Sequence, residues 1–463
     1  MRAKHRVVIL GLDGVPPDLV FGRWRQDLPA FSRVMHDGGF GPLQSVDPPI
    51  TVPAWTCMVT SKDPGQLGCY GFRNRRDHSY GPMALADSGS VQEPTLWRIL
   101  SRNRMRSIVL GVPQTYPPQP LRGLLAAGFL VPDEGAEFTY PRSFRQTLDS
   151  VAGGYIIDVK EFRTDDKDRL LGQIREMTRR RFLAIRHLLR EEEWDFLMAV
   201  EMGPDRIHHG FWKHFDAAHP RHEPGSSHAE AVRDYYRLLD QELDGLLGLL
   251  DPQDTLLIVS DHGARPMAGG VCINEWMRQK GHLSLLSEPV SPARLHPDLV
   301  DWDRTRAWSE GGYYARVFLN VRGREPRGAV AAGDQGGFRH DLAQELREME
   351  GPDGRALGNR ILIPEETYRA CRGVPPDLIV YLGDLDWRSL GSVGTGGLYA
   401  MENDTGPDDA NHDPLGILLI REPWRDKGAG EIHGAHLLDV APTVLDRLGL
   451  DIPPDMLGRV ISG

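Results

Sequence analysis

Val7-Val8-Ile9-Leu10-Gly11-Leu12-Asp13-Gly14 is the stretch on which the reading of this chain turns. A continuous apolar run of this length, rich in β-branched residues and closed by a Gly-Leu-Asp-Gly turn signal, fits a parallel strand buried on both faces. Asp13 then stands at the strand's carboxyl end, the edge where open α/β sheets carry their chemistry. The pattern recurs downstream. Residues 107–112, 195–200, 255–260 and 415–420 read as further strands. Residues 170–190, 229–250 and 437–448 have the apolar spacing of amphipathic helices, the last ended by Gly449. Strands alternating with helices predict an α/β fold: a mostly parallel central sheet flanked by helices on both faces.

Two stretches interrupt the rhythm. Residues 272–385 mix short strands (313–321, 378–382), a charged helix (341–349) and Gly/Pro-rich turns. They read as an inserted cap subdomain, leaving 1–271 and 386–463 as the two parts of one core. Residues 383–411, rich in Gly and Asp, read as a loop over the site.

The bulk composition narrows the function class. Lys and Arg number 54 against 65 Asp and Glu, a formal charge of −11. Such a balance argues against a nucleic-acid polymer as partner, which would call for a basic face. It does not argue against a small anionic substrate, because bound metal ions reverse the sign locally. The four cysteines (Cys57, Cys69, Cys272, Cys371) form no CxxC pair, which disfavours a thiolate zinc site and suggests a reducing compartment. Arg2, Lys4, His5 and Arg6 lead into only 7–10, too short an apolar run for a signal h-region or a membrane span. A cytoplasmic protein with no membrane partner is expected; the oligomeric state is open.

Metal-competent side chains lie just past the strand ends: Asp13; Asp205 and His209; Asp261 and His262; and His412, just before the 415–420 strand. Asp205 and His209 are spaced i, i+4, so on a helix they share a face. His208 is a rival for the second place, and a simple helix cap is the alternative for Asp205. Asp261-His262-Gly263 would put two ligands at one strand end, or would be a solvated turn. In Pro48-Pro49-Ile50-Thr51-Val52-Pro53-Ala54-Trp55, Thr51 reads as a cap of a helix through 54–60, or as a nucleophile at a helix N-terminus. The two are compatible, because free N–H groups there favour a phosphate and an ionised hydroxyl. A threonine attacks only when a metal or base strips its proton.

Taken together the motifs resemble the alkaline phosphatase superfamily, in its type I phosphodiesterase/nucleotide pyrophosphatase branch. The resemblance rests on Val8–Gly14, Thr51-Val52-Pro53-Ala54-Trp55-Thr56, Thr60-Ser61-Lys62-Asp63-Pro64-Gly65, Leu67-Gly68 and Asp205-Arg206-Ile207-His208-His209. It continues with Val259-Ser260-Asp261-His262-Gly263, Asn411-His412, Asp439-Val440-Ala441-Pro442-Thr443 and Leu448-Gly449-Leu450. It spans nearly the whole chain, in order. After His412 the chain departs from the family's Gly-Pro turn, running Ile420-Arg421-Glu422-Pro423-Trp424.

The resemblance implies a phosphoester hydrolase with two divalent metal ions, zinc by the ligand mix, with manganese or another first-row ion as alternative. One ion would sit on Asp205, His209 and His412, for which place His433 and His436 compete. The other would sit on Asp13, Asp261 and His262, with Thr51 bridging toward it. Three aspartates against two divalent ions leave one positive charge, which an ionised Thr51 cancels. Thr51 would attack phosphorus in line, form a covalent phosphothreonine and be released by water. Asn74, with Arg73, is the candidate for holding the phosphoryl oxygens, though Arg73, Arg75 and Arg76 also read as a solvated face. Sulfatases share the fold but need a modified Cys or Ser in a CxPxR-type context, which Cys57 lacks. A phosphodiesterase or pyrophosphatase acting on a small phosphorylated substrate is the first expectation. A phosphomonoesterase is the alternative, and an inactive binding protein on the same fold is a third reading. Region 272–411 holds no readable specificity motif; Trp302, Trp308, Tyr313 and Tyr314 are core residues or stacking platforms.

Overall fold

The structure, a computed structural model, describes residues 5–133, 135–424 and 430–461; Arg2 and Lys4 lie outside them. Its centre is a ten-stranded sheet. The strand order is Gly430–Glu431, Gly39–Gln44, Leu415–Arg421, Thr255–Val259, Val7–Leu12, Phe196–Glu201, Ser107–Val112, Gly123–Ala127 and Thr139–Tyr140, with Ala435–His436 also pairing on Gly39–Gln44. From Thr255–Val259 to Gly123–Ala127 the pairings are parallel. Val7–Leu12, Ser107–Val112 and Phe196–Glu201 are buried at every residue, so both faces of the sheet are covered. That is the expected mostly parallel, helix-flanked sheet.

Register explains why distant residues meet. Gly11 pairs with both Val200 and Val259, so Asp13 and Asp261 leave the sheet at the same level. Leu415–Arg421 runs antiparallel to Thr255–Val259, so it enters the sheet at that edge and brings His412 with it. Gly39–Gln44 runs antiparallel to Leu415–Arg421 and ends at the same edge, delivering the chain to Thr51.

A second apolar core extends from Val271 to Val393. It is built on an antiparallel sheet in the order Ala307–Glu310, Ala315–Leu319, Leu378–Tyr381 and Arg360–Leu362, with the helices Ile273–Gln279 and Gln335–Arg347. Some boundaries differ from the sequence expectation. Residues 383–411 hold four short strands rather than a bare loop: Trp387–Leu390, Ser392–Val393, Tyr399–Ala400 and Ala410–Asp413. Three of these take partners more than a hundred residues away, Gly269–Cys272 and Gly263–Pro266, so no local apolar pattern announces them. The charged helix begins at Gln335, through Gly336 and Gly337, whose low helix propensity hid its first turn. No helix among the described residues is long and apolar enough to cross a membrane.

Candidate functional site

Thr51 opens the helix Thr51–Thr60, with Ile50 as its N-cap. The helix thus starts before Ala54, and Thr51 makes no side-chain cap bond: its hydroxyl is turned away from the backbone, 3.2 Å from His262 Nε2. Pro53 carries no N–H, so the open end offers the N–H groups of Thr51 and Val52. One turn on, Trp55 packs across the first strand. A Cβ on Gly11 would lie 2.5 Å from the Trp55 ring, so the glycine makes room for it. The indole then donates to Asp13 Oδ2 at 2.7 Å.

Asp205 is the third residue of the helix Gly203–Phe215 and makes no cap bond. Arg206 holds its Oδ2, while Oδ1 faces His209 Nε2 at 3.2 Å and His412 Nε2 at 3.7 Å. Asp13 Oδ1 and Asp261 Oδ2 lie 3.6 and 3.2 Å from His262 Nε2. Two buried triads have donor atoms close enough to share an ion: Asp13, Asp261 and His262, and Asp205, His262 and His412. His262 belongs to both, its ring stacked on His412 at 3.7 Å. His209 joins the second group from the next turn of its helix. His208 points the other way, to Tyr236 OH at 3.1 Å, and His436 caps the Leu437–Asp439 turn through Leu438 N. His433 is exposed.

The three histidines share a polarity. Nδ1 of His209 faces Asp408 Oδ1 at 2.6 Å, Nδ1 of His262 faces Gly263 O at 2.9 Å, and Nδ1 of His412 faces Pro49 O at 2.9 Å. With the proton on Nδ1 in each case, Nε2 presents its lone pair to the cluster, the arrangement of metal-ligating imidazoles. Asp13 Oδ1, Asp261 Oδ2 and His412 Nε2 are buried without any hydrogen-bond partner, which is costly unless a cation sits between them. The residues present therefore fit a pair of divalent ions. Burial, with the neighbouring carboxylates, lifts Asp13 and Asp261 well above the usual carboxylate range. Burial also raises Asp205, but His209, Arg206 and His412 outweigh it and hold the group well below that range. Burial pushes His262 down to about 4, so it is neutral at pH 7.

Asp408 escaped the sequence reading. It serves His209 through Oδ1, and Arg163 (2.9 Å) and Arg388 (2.5 Å) through Oδ2. Its only signal was the acidic pair Asp408-Asp409 just before His412. Asp158, which holds Arg206 by two bonds, had none. Tyr313 packs on His412 (ring centroids 3.8 Å apart), with its hydroxyl 3.4 Å from His209 Nε2. Arg73 lines a cavity of about 290 Å3 in front of Thr51, together with Asp205, Arg206 and Tyr313. Asn74 does not line it: its side chain braces its own loop, accepting from Tyr70 N and donating to Gly71 O. The arginine cluster is divided rather than uniformly solvated, since Arg75 is buried against Glu325 between Trp308 and Phe318. Trp302 and Trp308 line an adjoining pocket with Tyr80.

A family described as type I phosphodiesterase/nucleotide pyrophosphatase matches residues 7–408. No curated protein matches the sequence. Among solved structures, human ectonucleotide pyrophosphatase/phosphodiesterase 5 superposes with a TM-score of 0.55 at 13% identity, over 97% of this chain and 96% of that one. The murine counterpart, an inactive threonine-to-alanine variant in complex with AMP, gives 0.54 at 13% over the same shares. Phosphonoacetate hydrolase from Sinorhizobium meliloti 1021, in complex with phosphonoacetate, gives 0.62 at 13%, over 96% and 95%. At such identity these structures speak for the fold.

Proposed function

The chain belongs to the type I phosphodiesterase/nucleotide pyrophosphatase family, and from that premise we propose that it hydrolyses phosphodiesters of small molecules with Thr51 as nucleophile. The observation that carries this is the placement of the Thr51 hydroxyl, at a helix N-terminus and 3.2 Å from His262 Nε2, beside carboxylate and imidazole donors left without partners. Asp205, His209 and His412 would hold one ion, and Asp13, Asp261 and His262 the other. When bound, two divalent cations, zinc or another first-row ion, supply the Lewis acidity that lowers the Thr51 pKa and offsets charge on the phosphoryl oxygens.

The protein's own groups do the rest. The N–H groups of Thr51 and Val52 favour an anion at the helix mouth. Trp55 ties the nucleophile's helix to Asp13, fixing the position of Thr51 relative to the sheet. Thr51 Oγ1 forms a bond to phosphorus as the ester bond to the leaving oxygen breaks. Water then forms its own bond to phosphorus as the bond from phosphorus to Thr51 Oγ1 breaks, and a proton from that water restores the Thr51 hydroxyl. Arg73, on the cavity wall, is placed to meet the substrate's oxygens, while Asn74 supports the loop that carries it. The inactive threonine-to-alanine variant of the murine structural neighbour accords with a threonine nucleophile.

Thr51→Ala should abolish turnover of bis(p-nitrophenyl) phosphate while metal content stays at the wild-type level; substantial residual turnover removes Thr51 from this role. The arginines around the cavity favour a second reading, a phosphomonoesterase, because a monoester brings more charge to neutralise. A p-nitrophenyl phosphate rate far above the diester rate would establish that reading instead.

A further inference from the structure

The hairpin joining Ala307–Glu310 to Ala315–Leu319 reaches to the proposed metal ligands, and Tyr313 lies in its loop. The loop is pinned on both sides. Gly312 and Ser389 exchange N–H···O bonds at 2.8 and 2.9 Å, and Asn411 donates from Nδ2 to Tyr313 O at 3.2 Å. Gly311 lies so near Gly391 that a Cβ on it would come 2.5 Å from the Gly391 nitrogen. The ring is held as firmly: His412 packs on it, and the Arg388 guanidinium lies over it at 4.2 Å.

The Tyr313 hydroxyl lines the cavity in front of Thr51, 3.4 Å from both Arg163 Nη2 and His209 Nε2. Arg163 can only donate, so the phenol oxygen accepts there and keeps its own proton to give. Its acceptor among the described residues is the His209 Nε2 lone pair, which the proposed ion would use. With that lone pair engaged, the proton is left for a substrate oxygen. Most other donors on the cavity wall are spent. Arg163 and Arg388 serve Asp408, Arg206 serves Asp158 and Asp205, and Arg294 turns to Glu310. Arg316, 8% exposed and with no ion pair among the described residues, donates to Arg73 O.

The order of the rings indicates which oxygen. His412 is stacked between His262 and Tyr313, 3.7 Å from the one and 3.8 Å from the other. Thr51 stands at the His262 end of that row, and the Tyr313 hydroxyl at the other end, beside His209. In-line displacement at phosphorus sets the leaving oxygen opposite the attacking one. We propose that Tyr313 is a further catalytic residue, whose hydroxyl donates a hydrogen bond to the oxygen that leaves as Thr51 attacks. This rests on the phosphoester reading above. The bond from Thr51 Oγ1 to phosphorus forms as the bond to the leaving oxygen breaks, and that oxygen departs with the electron pair. The phenol keeps its proton and stabilises the growing charge from a fixed position; the leaving group takes its proton from solvent.

The test uses metal-loaded protein, zinc and manganese in parallel, on esters that differ only in the leaving group. Methyl p-nitrophenyl phosphate is set against methyl phenyl phosphate, and p-nitrophenyl phosphate against phenyl phosphate. The nitro group spreads the departing charge, so its ester needs less help than the phenyl ester does. Tyr313→Phe keeps the ring and its packing and removes only the hydroxyl. It should lower kcat/KM for the phenyl ester by about tenfold to a hundredfold, the scale of a lost hydrogen bond to a charged oxygen. The p-nitrophenyl ester should lose clearly less, with metal content and melting temperature at the wild-type values. An equal loss on both esters, a larger one on the p-nitrophenyl ester, or none at all overturns the inference and leaves the phosphoester reading in place. A loss accompanied by lower metal content overturns it too, because the hydroxyl then acts through the ion. Wild-type protein inert toward every ester overturns both readings.

Discussion

Replacing Asp408 with asparagine keeps the side chain's shape and removes a charge on which three groups depend. Asp408 Oδ1 lies 2.6 Å from His209 Nδ1, and Oδ2 takes bonds from Arg163 and Arg388. The cost divides accordingly. The Arg388 side chain is 6% exposed, and breaking a pair so buried costs about 3–5 kcal/mol. Arg163 is 20% exposed, so solvent screens its loss to about 1 kcal/mol or less. His209 loses the group that fixes its ring and tautomer, which lowers metal affinity by about tenfold to a hundredfold. Urea denaturation reads the first part, and competition with a chromophoric chelator reads the second. Adding Arg388→Met to Asp408→Asn separates them: it removes the stranded cation and should return most of the lost stability, while metal affinity stays low. If metal affinity recovers along with stability, Asp408 acts through packing alone and the orienting role is refuted. Unchanged affinity in Asp408→Asn would refute it more directly.

Other expectations follow from the same geometry. His412→Ala should lower metal occupancy by elemental analysis, whereas His436→Ala should leave occupancy intact and cost about 1 kcal/mol of stability as a lost cap; the reverse pattern would exchange their roles. Chelation by EDTA should lower the melting temperature, because ions bound only by the native state stabilise it, and an unchanged melting temperature would count against a metal centre in these triads. Burial pushes His208 down from 6.5 to about 3. Between those values the unfolded chain takes up a proton that the native one refuses. Stability from this group is thus full above pH 6.5 and falls toward pH 3 by up to about 1.4 kcal/mol per pH unit. His208→Phe should have a shallower pH dependence of unfolding free energy over that window, and identical slopes would contradict the assignment.

The sheet was legible because its strands are covered on both faces. Val7–Leu12 and Ser107–Val112 appear in the sequence as unbroken apolar runs, and their bounds coincide with those in the structure. The metal-competent residues were legible because each lies next to such a run, His412 just before one and the others past the end of one. What stayed hidden depends on contacts without local pattern. Ala410–Asp413 is a strand only because Gly263–Pro266 pairs with it. Asp408 and Asp158 are ordinary acidic residues in polar segments until the fold brings arginines to them. Asn74 was a candidate through the resemblance alone, which does not reveal that Tyr70 N and Gly71 O already occupy the amide. Arg316 looks like any charged residue in a strand; only its burial with no ion pair among the described residues sets it apart.

The strand order also bears on how the protein is made. Gly39–Gln44 leaves the ribosome well before its partners in the sheet, Leu415–Arg421, Gly430–Glu431 and Ala435–His436, which all lie far downstream of it. Until those segments are synthesised, an early strand waits with both its hydrogen-bonding edges open, a state prone to association with other chains. The same late insertion brings in His412. The nascent polypeptide therefore completes its central sheet and its constellation of metal-competent side chains in one closing event, so a chain stalled before residue 412 has neither.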